Sequence, residues 1–212
     1  MKTRHMKYIF TLCLITISNL TFCQNKSLPN QQISIAIGTS KHGTGDMPGL
    51  VFNTSYSKKF KKNLSWIVGI GGSIHDGQQP LYYTFNSNEV DGSIRYTTAG
   101  LQLNAYLEYD LLKAGNHQFQ LRLGPLLRYQ SSSYYDALGI YYPASGSGFP
   151  FPLVEFNNST PQRTFAAGGS AQAGYNYTIS KMNLAVGLGA GLQTDTNGDT
   201  ITQLSVSVGK RF

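Results

Sequence analysis

The chain has 212 residues, and only 13% of them are charged, against about 25% in an ordinary soluble domain. A mean hydropathy of -0.21 excludes a bundle of membrane-spanning helices, and an aromatic content of 12% excludes the low-hydrophobicity composition of a disordered chain. The formal net charge of +7 is inflated by Lys2, Arg4 and Lys7 in an acid-free leader, and the one dense basic cluster, Lys58, Lys59, Lys61 and Lys62, is too local for a nucleic-acid footprint.

Residues 1–23 read as a secretory signal: a basic start, an apolar stretch from Tyr8 to Ile17, then short polar residues before Gln24. The apolar stretch is too short to cross a bilayer as a helix. Cleavage after Cys23 leaves a mature segment, 24–212, without Cys13 or Cys23, so neither a disulfide nor a thiolate metal site is expected in it, and no cofactor is expected. A lipoprotein with Cys23 acylated is the competing reading. Leu20 suits it, and Phe22 is too bulky for the position before such a cysteine.

From Gln24 onward, no sustained helical apolar pattern occurs, whereas alternation with period two recurs along nearly the whole length. The spacing predicts strands at about 32–41, 50–60, 64–74, 94–111, 118–130, 164–178, 184–192 and 204–212. In the seventh, Leu184, Val186, Leu188, Ala190 and Leu192 share one face while Ala185, Gly187, Gly189 and Gly191 share the other. The breaks at 61–63, 112–117 and 179–182 are short. Those at about 75–93 and 131–163 are long, and 42–49 and 195–199 are intermediate. Eight meandering strands with tight turns at one end predict an all-β, eight-stranded antiparallel up-and-down barrel.

Between Thr164 and Thr194 the only charged residue is Lys181, in a predicted turn. A water-facing wall of Gly, Ala, Ser and Tyr would be poorly soluble. The conflict disappears if the Leu- and Val-bearing face meets lipid and the small or polar face fills a narrow lumen. Aromatics then fall near strand ends as interfacial girdles require. Tyr56, Phe60, Trp66, Tyr109, Phe119, Tyr177 and Phe212 lie beside the short turns, and Tyr129 and Phe165 beside the longest loop.

The last strand carries Leu204, Val206, Val208, Lys210 and the terminal Phe212 on one face. With this ending and the barrel pattern over 32–212, the sequence resembles the small eight-stranded outer-membrane β-barrel proteins of Gram-negative bacteria (OmpA-transmembrane-domain-like and PorT-like barrels). The resemblance implies a multi-pass barrel in the outer membrane, surrounded by lipid and lipopolysaccharide. It also implies that Leu204, Val206, Val208 and Phe212 form the signal recognised by the barrel-assembly machinery. Lys210 departs from the pattern, which more often has an aromatic there.

The expected lumen face includes Arg95, Gln102, Asn104, Glu108, Gln120, Arg122, Arg128, Gln172 and Asn176. Glu108 and Arg122 lie diagonally on neighbouring strands, and with Arg128 and Arg95 they form the expected lumen ion-pair network. Gly69, Gly71, Gly187, Gly189 and Gly191 leave room for the long side chains, so the lumen is expected to be plugged. His42 and His75, with Asp46 and Asp76 nearby, are the candidates for a rim acid-base pair. No His-x-Ser arrangement accompanies them or His117.

Lys58, Lys59, Lys61 and Lys62 are expected to contact inner-leaflet headgroups. The loop at 131–163 sets Tyr134, Tyr135, Tyr141, Tyr142, Phe149, Phe151 and Phe156 among Pro143, Pro150, Pro152 and Pro161. That composition suits contact with another outer-membrane or extracellular protein, or a lid over the barrel mouth. The fold does not decide function. The expected role is a non-enzymatic structural or interaction protein, an accessory subunit of a larger outer-membrane complex. The alternatives are a lipid A-modifying enzyme and a narrow pore.

Overall fold

The computed structural model describes residues 30–43, 47–85, 87–133, 137–141, 148, 153–157 and 162–212. The signal segment and Cys23 lie outside the described residues. The strands are β1 (Gln31–His42), β2 (Met47–Lys61), β3 (Leu64–Gln79), β4 (Tyr82–Phe85), β5 (Asn88–Asp91), β6 (Ile94–Ala114), β7 (His117–Ser132), β8 (Ala137–Tyr141), β9 (Leu153–Asn157), β10 (Arg163–Ile179), β11 (Leu184–Asp195) and β12 (Thr200–Arg211). Eight of them close an antiparallel barrel in the order β1-β12-β11-β10-β7-β6-β3-β2, and β4-β5 and β8-β9 form two separate hairpins.

Closure follows from the alternation. A strand with one face apolar and the other small or polar is satisfied only where the two faces meet different media, and closing β1 onto β12 leaves no unpaired edge in the lipid-facing wall. The short turns hold neighbouring strands together. Between β6 and β7, for example, Gly115 takes φ +58, a conformation that costs glycine least.

The sorting of side chains is the reverse of a soluble protein. Ile35, Ile37, Phe52, Ile70, Leu103, Leu123, Leu127, Leu188, Leu204 and Val208 stand on the outer surface, while Asn104, Glu108, Gln120, Arg128, Asn176 and Gln193 are buried inside. The expected orientation is therefore the observed one. Phe60, Trp66, Tyr109, Phe119, Tyr177 and Phe212 project outward near the short turns, and Tyr129 and Phe165 near the opposite mouth. Tyr129 and Phe165 meet at 4.8 Å with their rings tilted by 45°, and Tyr56 lies 5.3 Å from Trp66, ring centre to ring centre.

All eight predicted strands occur, each longer than the alternation suggests. β3 runs on to Gln79, paired with β6 as far as Ile94, so this ribbon stands above the rim. The hairpins β4-β5 and β8-β9 fall in the two long loops, which the sequence reading leaves without strands. Their strands are only four or five residues long, too few to establish a period.

Candidate functional site

The lumen is filled in layers. At the short-turn end, Lys59 Nζ lies 2.7 Å from Asp110 Oδ2, Gln118 donates to Asp110 Oδ1, and Arg211 donates to Gln32 and Gln118 at 2.9 and 3.0 Å. Lys59 thus reaches into the barrel, a correction to its expected place among inner-leaflet headgroups. Strand parity puts it there, since Lys59 aligns with the buried Ser65, and the Asp110 carboxylate would otherwise be a buried charge without a counter-ion. Lys58, Lys61 and Lys62 remain exposed.

Above this layer, Arg122 Nε donates to Glu108 Oε2 at 2.8 Å. The two residues are direct cross-strand partners rather than diagonal ones, because a bulge between Asp110 and Leu112 shifts the β6-β7 register by one. Gln172 then donates to Tyr106 at 3.1 Å, and Gln102 and Gln193 exchange amide hydrogen bonds at 3.4 and 3.2 Å. Between these groups remain cavities of about 50 and 20 Å³, room for a few waters at most.

Arg128 occupies the next layer, 1% exposed. It lies against Gly100, where an added Cβ would stand 2.7 Å from its Nε. Its Nη2 donates to Ser73 Oγ at 3.2 Å, while Nε and Nη1 have no hydrogen-bond partner among the described residues. The four-residue network expected from the sequence does not form. Arg128 sits six residues from Arg122 along β7, roughly 20 Å at ~3.3 Å per residue. Arg95 is not in the lumen at all. It lies above the rim, where β6 pairs only with β3, and binds Asp76 in an exposed pair. That guanidinium holds the Asp76 carboxyl below its usual range.

At the mouth opposite the short turns, Ser40 Oγ and His75 Nε2 are 2.7 Å apart. They come from β1 and β3, with β2 between them, and both align with Gly49. The absence of a side chain at Gly49 is what lets the imidazole lean across β2, because a Cβ there would collide with the His75 ring. The His42 ring lies 5.1 Å from that of His75, His42 Nε2 is 3.5 Å from Asp199 Oδ2, and Gln130 donates to Asp199 at 2.7 Å.

A serine facing an imidazole, with a second imidazole and a carboxylate behind it, has the elements of an activated nucleophile. Access is what it lacks: Ser40 is 4% and His75 0% exposed. The acid-base pairing of His75 with Asp76 expected from the sequence is not formed, since successive residues of a strand point to opposite faces and Asp76 is held by Arg95. Asp46 lies outside the described residues. The signal that could have located the cluster is parity, which puts Ser40 and His42 on the inward face of β1, combined with the Gly49 register.

His117 belongs to the opposite end, where Nδ1 lies 2.7 Å from the Tyr175 hydroxyl. Leu204, Val206, Val208 and Phe212 are exposed on the outer wall, and Lys210 donates to the Met182 carbonyl at 2.7 Å. Of the loop aromatics, Tyr141 is exposed in β8 and donates to Glu155 at 3.1 Å. Phe156 belongs to β9. Tyr134, Tyr135, Tyr142, Phe149 and Phe151 lie outside the described residues.

A closed eight-stranded antiparallel sheet with an apolar exterior and a hydrogen-bonded polar interior is the architecture of a transmembrane β-barrel. Among solved structures, the chain is similar to Neisserial surface protein A (TM-score 0.56, 13% identity, 86% of this chain and 97% of that one). It is also similar to Ail, the attachment invasion locus protein of Yersinia pestis (0.45, 13%, 87% and 100%), and to the N-terminal β-barrel domain of Pseudomonas aeruginosa OprF (0.45, 12%, 85% and 98%). The closed eight-stranded sheet, with the likeness to Neisserial surface protein A, makes the fold that of the small eight-stranded outer-membrane barrels. No protein-family profile and no curated protein sequence matches the chain.

Proposed function

We propose that this protein is a non-enzymatic barrel of the outer membrane that anchors an interaction surface, acting as an accessory subunit of a larger outer-membrane assembly. The observation that carries this reading is the division of labour along the barrel axis. The wall encloses a lumen whose inner cavities admit only water, while two hairpins that pair with no barrel strand stand at the far mouth. Those hairpins expose Tyr82, Tyr141 and Leu153, side chains of the kind that anchor protein contacts. Export through the leader and assembly through the aromatic-ended last strand belong to the same proposal.

The test is a triple substitution, Tyr82→Ser, Tyr141→Ser and Leu153→Ser, in the full chain, followed by in-cell cross-linking and mass spectrometry. The substituted barrel is expected to stay folded and membrane-inserted and to lose its cross-linked neighbours. An unchanged set of neighbours refutes the proposal.

A lipid A-modifying or other acyl-cleaving enzyme is the second reading, and the observation favouring it is the Ser40-His75 contact. Burial weighs against it, because an acyl substrate has to reach Ser40 Oγ. Covalent labelling of Ser40 by a fluorophosphonate, abolished by Ser40→Ala, would reverse the order of the two readings.

A further inference from the structure

The mouth at the short-turn end is a basin of about 720 Å³, within the range of ~300–1,000 Å³ typical of ligand pockets. Its lining includes Lys59, Lys61, Lys62, Lys113 and Arg211 against two acids, Glu108 and Asp110. Both acids are already committed, Glu108 to Arg122 and Asp110 to Lys59. Lys61, Lys62, Lys113 and Arg211 therefore have no carboxylate within ion-pair distance among the described residues.

Lys113 is in the basin because of the β6 bulge. The extra residue reverses the parity of the strand end, so that Leu112 aligns with the outward Phe119 and Lys113 with the buried Gln118. Burial, then the neighbouring charges of Lys59 and Arg211, push the Lys113 amine below its ordinary range, so an arriving anion would relieve a repulsion already present.

We propose that this basin binds an acidic peptide segment of a partner protein approaching the short-turn mouth. The remaining lining distinguishes a peptide from a bare phosphate. Asn30, Gln31, Gln32 and Asn63 offer amide groups suited to a peptide backbone, and Phe60 and Leu111 add apolar surface. A lipid headgroup fits less well, because Lys113 and Arg211 face the mouth of the lumen and not the hydrocarbon-facing wall. The surface is independent of the hairpins at the opposite mouth.

The experiment measures anisotropy of a fluorescent hexa-aspartate peptide with the full mature chain in zwitterionic nanodiscs. Saturable binding is expected, weakening as salt rises. Lys61→Gln/Lys62→Gln, in and beside an exposed turn, and Lys113→Gln should each weaken binding on the order of ten-fold, about 1.4 kcal/mol. Lys58→Gln, outside the basin, should leave it unchanged. Absence of binding, or equal binding by all variants, overturns the proposal. So does displacement of the peptide by inorganic phosphate at equal charge concentration, or loss of binding when a minor fraction of anionic lipid is added to the nanodiscs; these would assign the site to phosphate or to headgroups. Circular dichroism of each variant separates loss of the basin from loss of the fold.

Discussion

Leu123 tests the outward orientation of the apolar face most directly. On β7 the outward rings of Phe119 and Tyr129 mark the two girdles, ten residues apart. At about 3.3 Å per residue and a tilt near ~40°, the band between them is roughly 25 Å tall, the height of a transmembrane barrel's apolar belt. Leu123 lies four residues above the lower girdle, is 62% exposed and aligns with the outward Leu107.

Arginine near the bilayer midplane of such a barrel costs about 2–4 kcal/mol, against ~0–1 near an interface. Leu123→Arg should therefore cost about 2–3 kcal/mol more than Leu112→Arg, whose exposed position lies at the lower girdle, opposite Phe119. The measurement is urea unfolding of each variant from liposomes, followed through Trp66, the single tryptophan. At slopes of about 1–3 kcal/mol per molar urea, the midpoints should separate by roughly 0.7–3 M. If Leu123 instead faced water, both substitutions would fall within about 0.5 kcal/mol of wild type, and indistinguishable midpoints would refute the lipid-facing wall.

Glu108→Gln leaves the Arg122 guanidinium without its carboxylate and should cost about 1–3 kcal/mol, discounted from a fully buried pair because Arg122 retains some solvent contact. Adding Arg122→Gln should recover most of that loss in the same urea assay. Gly100→Ala presses a methyl group onto Arg128 and should destabilise by about 1–3 kcal/mol, whereas Gly169→Ala, with open space around its Cβ, should stay within about 0.5 kcal/mol of wild type. The Asp76 carboxyl should titrate below the ordinary 3.8, so the Arg95 contact is present above that range and is lost as pH falls through the lowered value. A ¹³C-carboxyl titration checks this, with Arg95→Gln expected to return Asp76 toward the ordinary value. In planar bilayers the intact barrel should give no stable opening of porin size, since its inner cavities hold only a few waters.

The sequence alone determined the eight barrel strands, their up-and-down order and the face each presents to lipid. Period two is a local property, and a run such as Leu184 to Leu192 states it without reference to any other strand. Position along the barrel axis is not local. Parity alone keeps Arg95 out of the lumen, but that Arg95 stands above the rim depends on where β7 stops pairing with β6. The opposition of Glu108 and Arg122, like the entry of Lys113 into the basin, depends on a one-residue bulge that no alternation announces. Ser40 meets His75 only because closure sets β1, β2 and β3 in a register with Gly49 between them, and His42 meets Asp199 only because β1 closes onto β12. Side-chain direction is set residue by residue along the chain, but contact across the lumen is set by register and closure, which exist only once the sheet has joined its own ends.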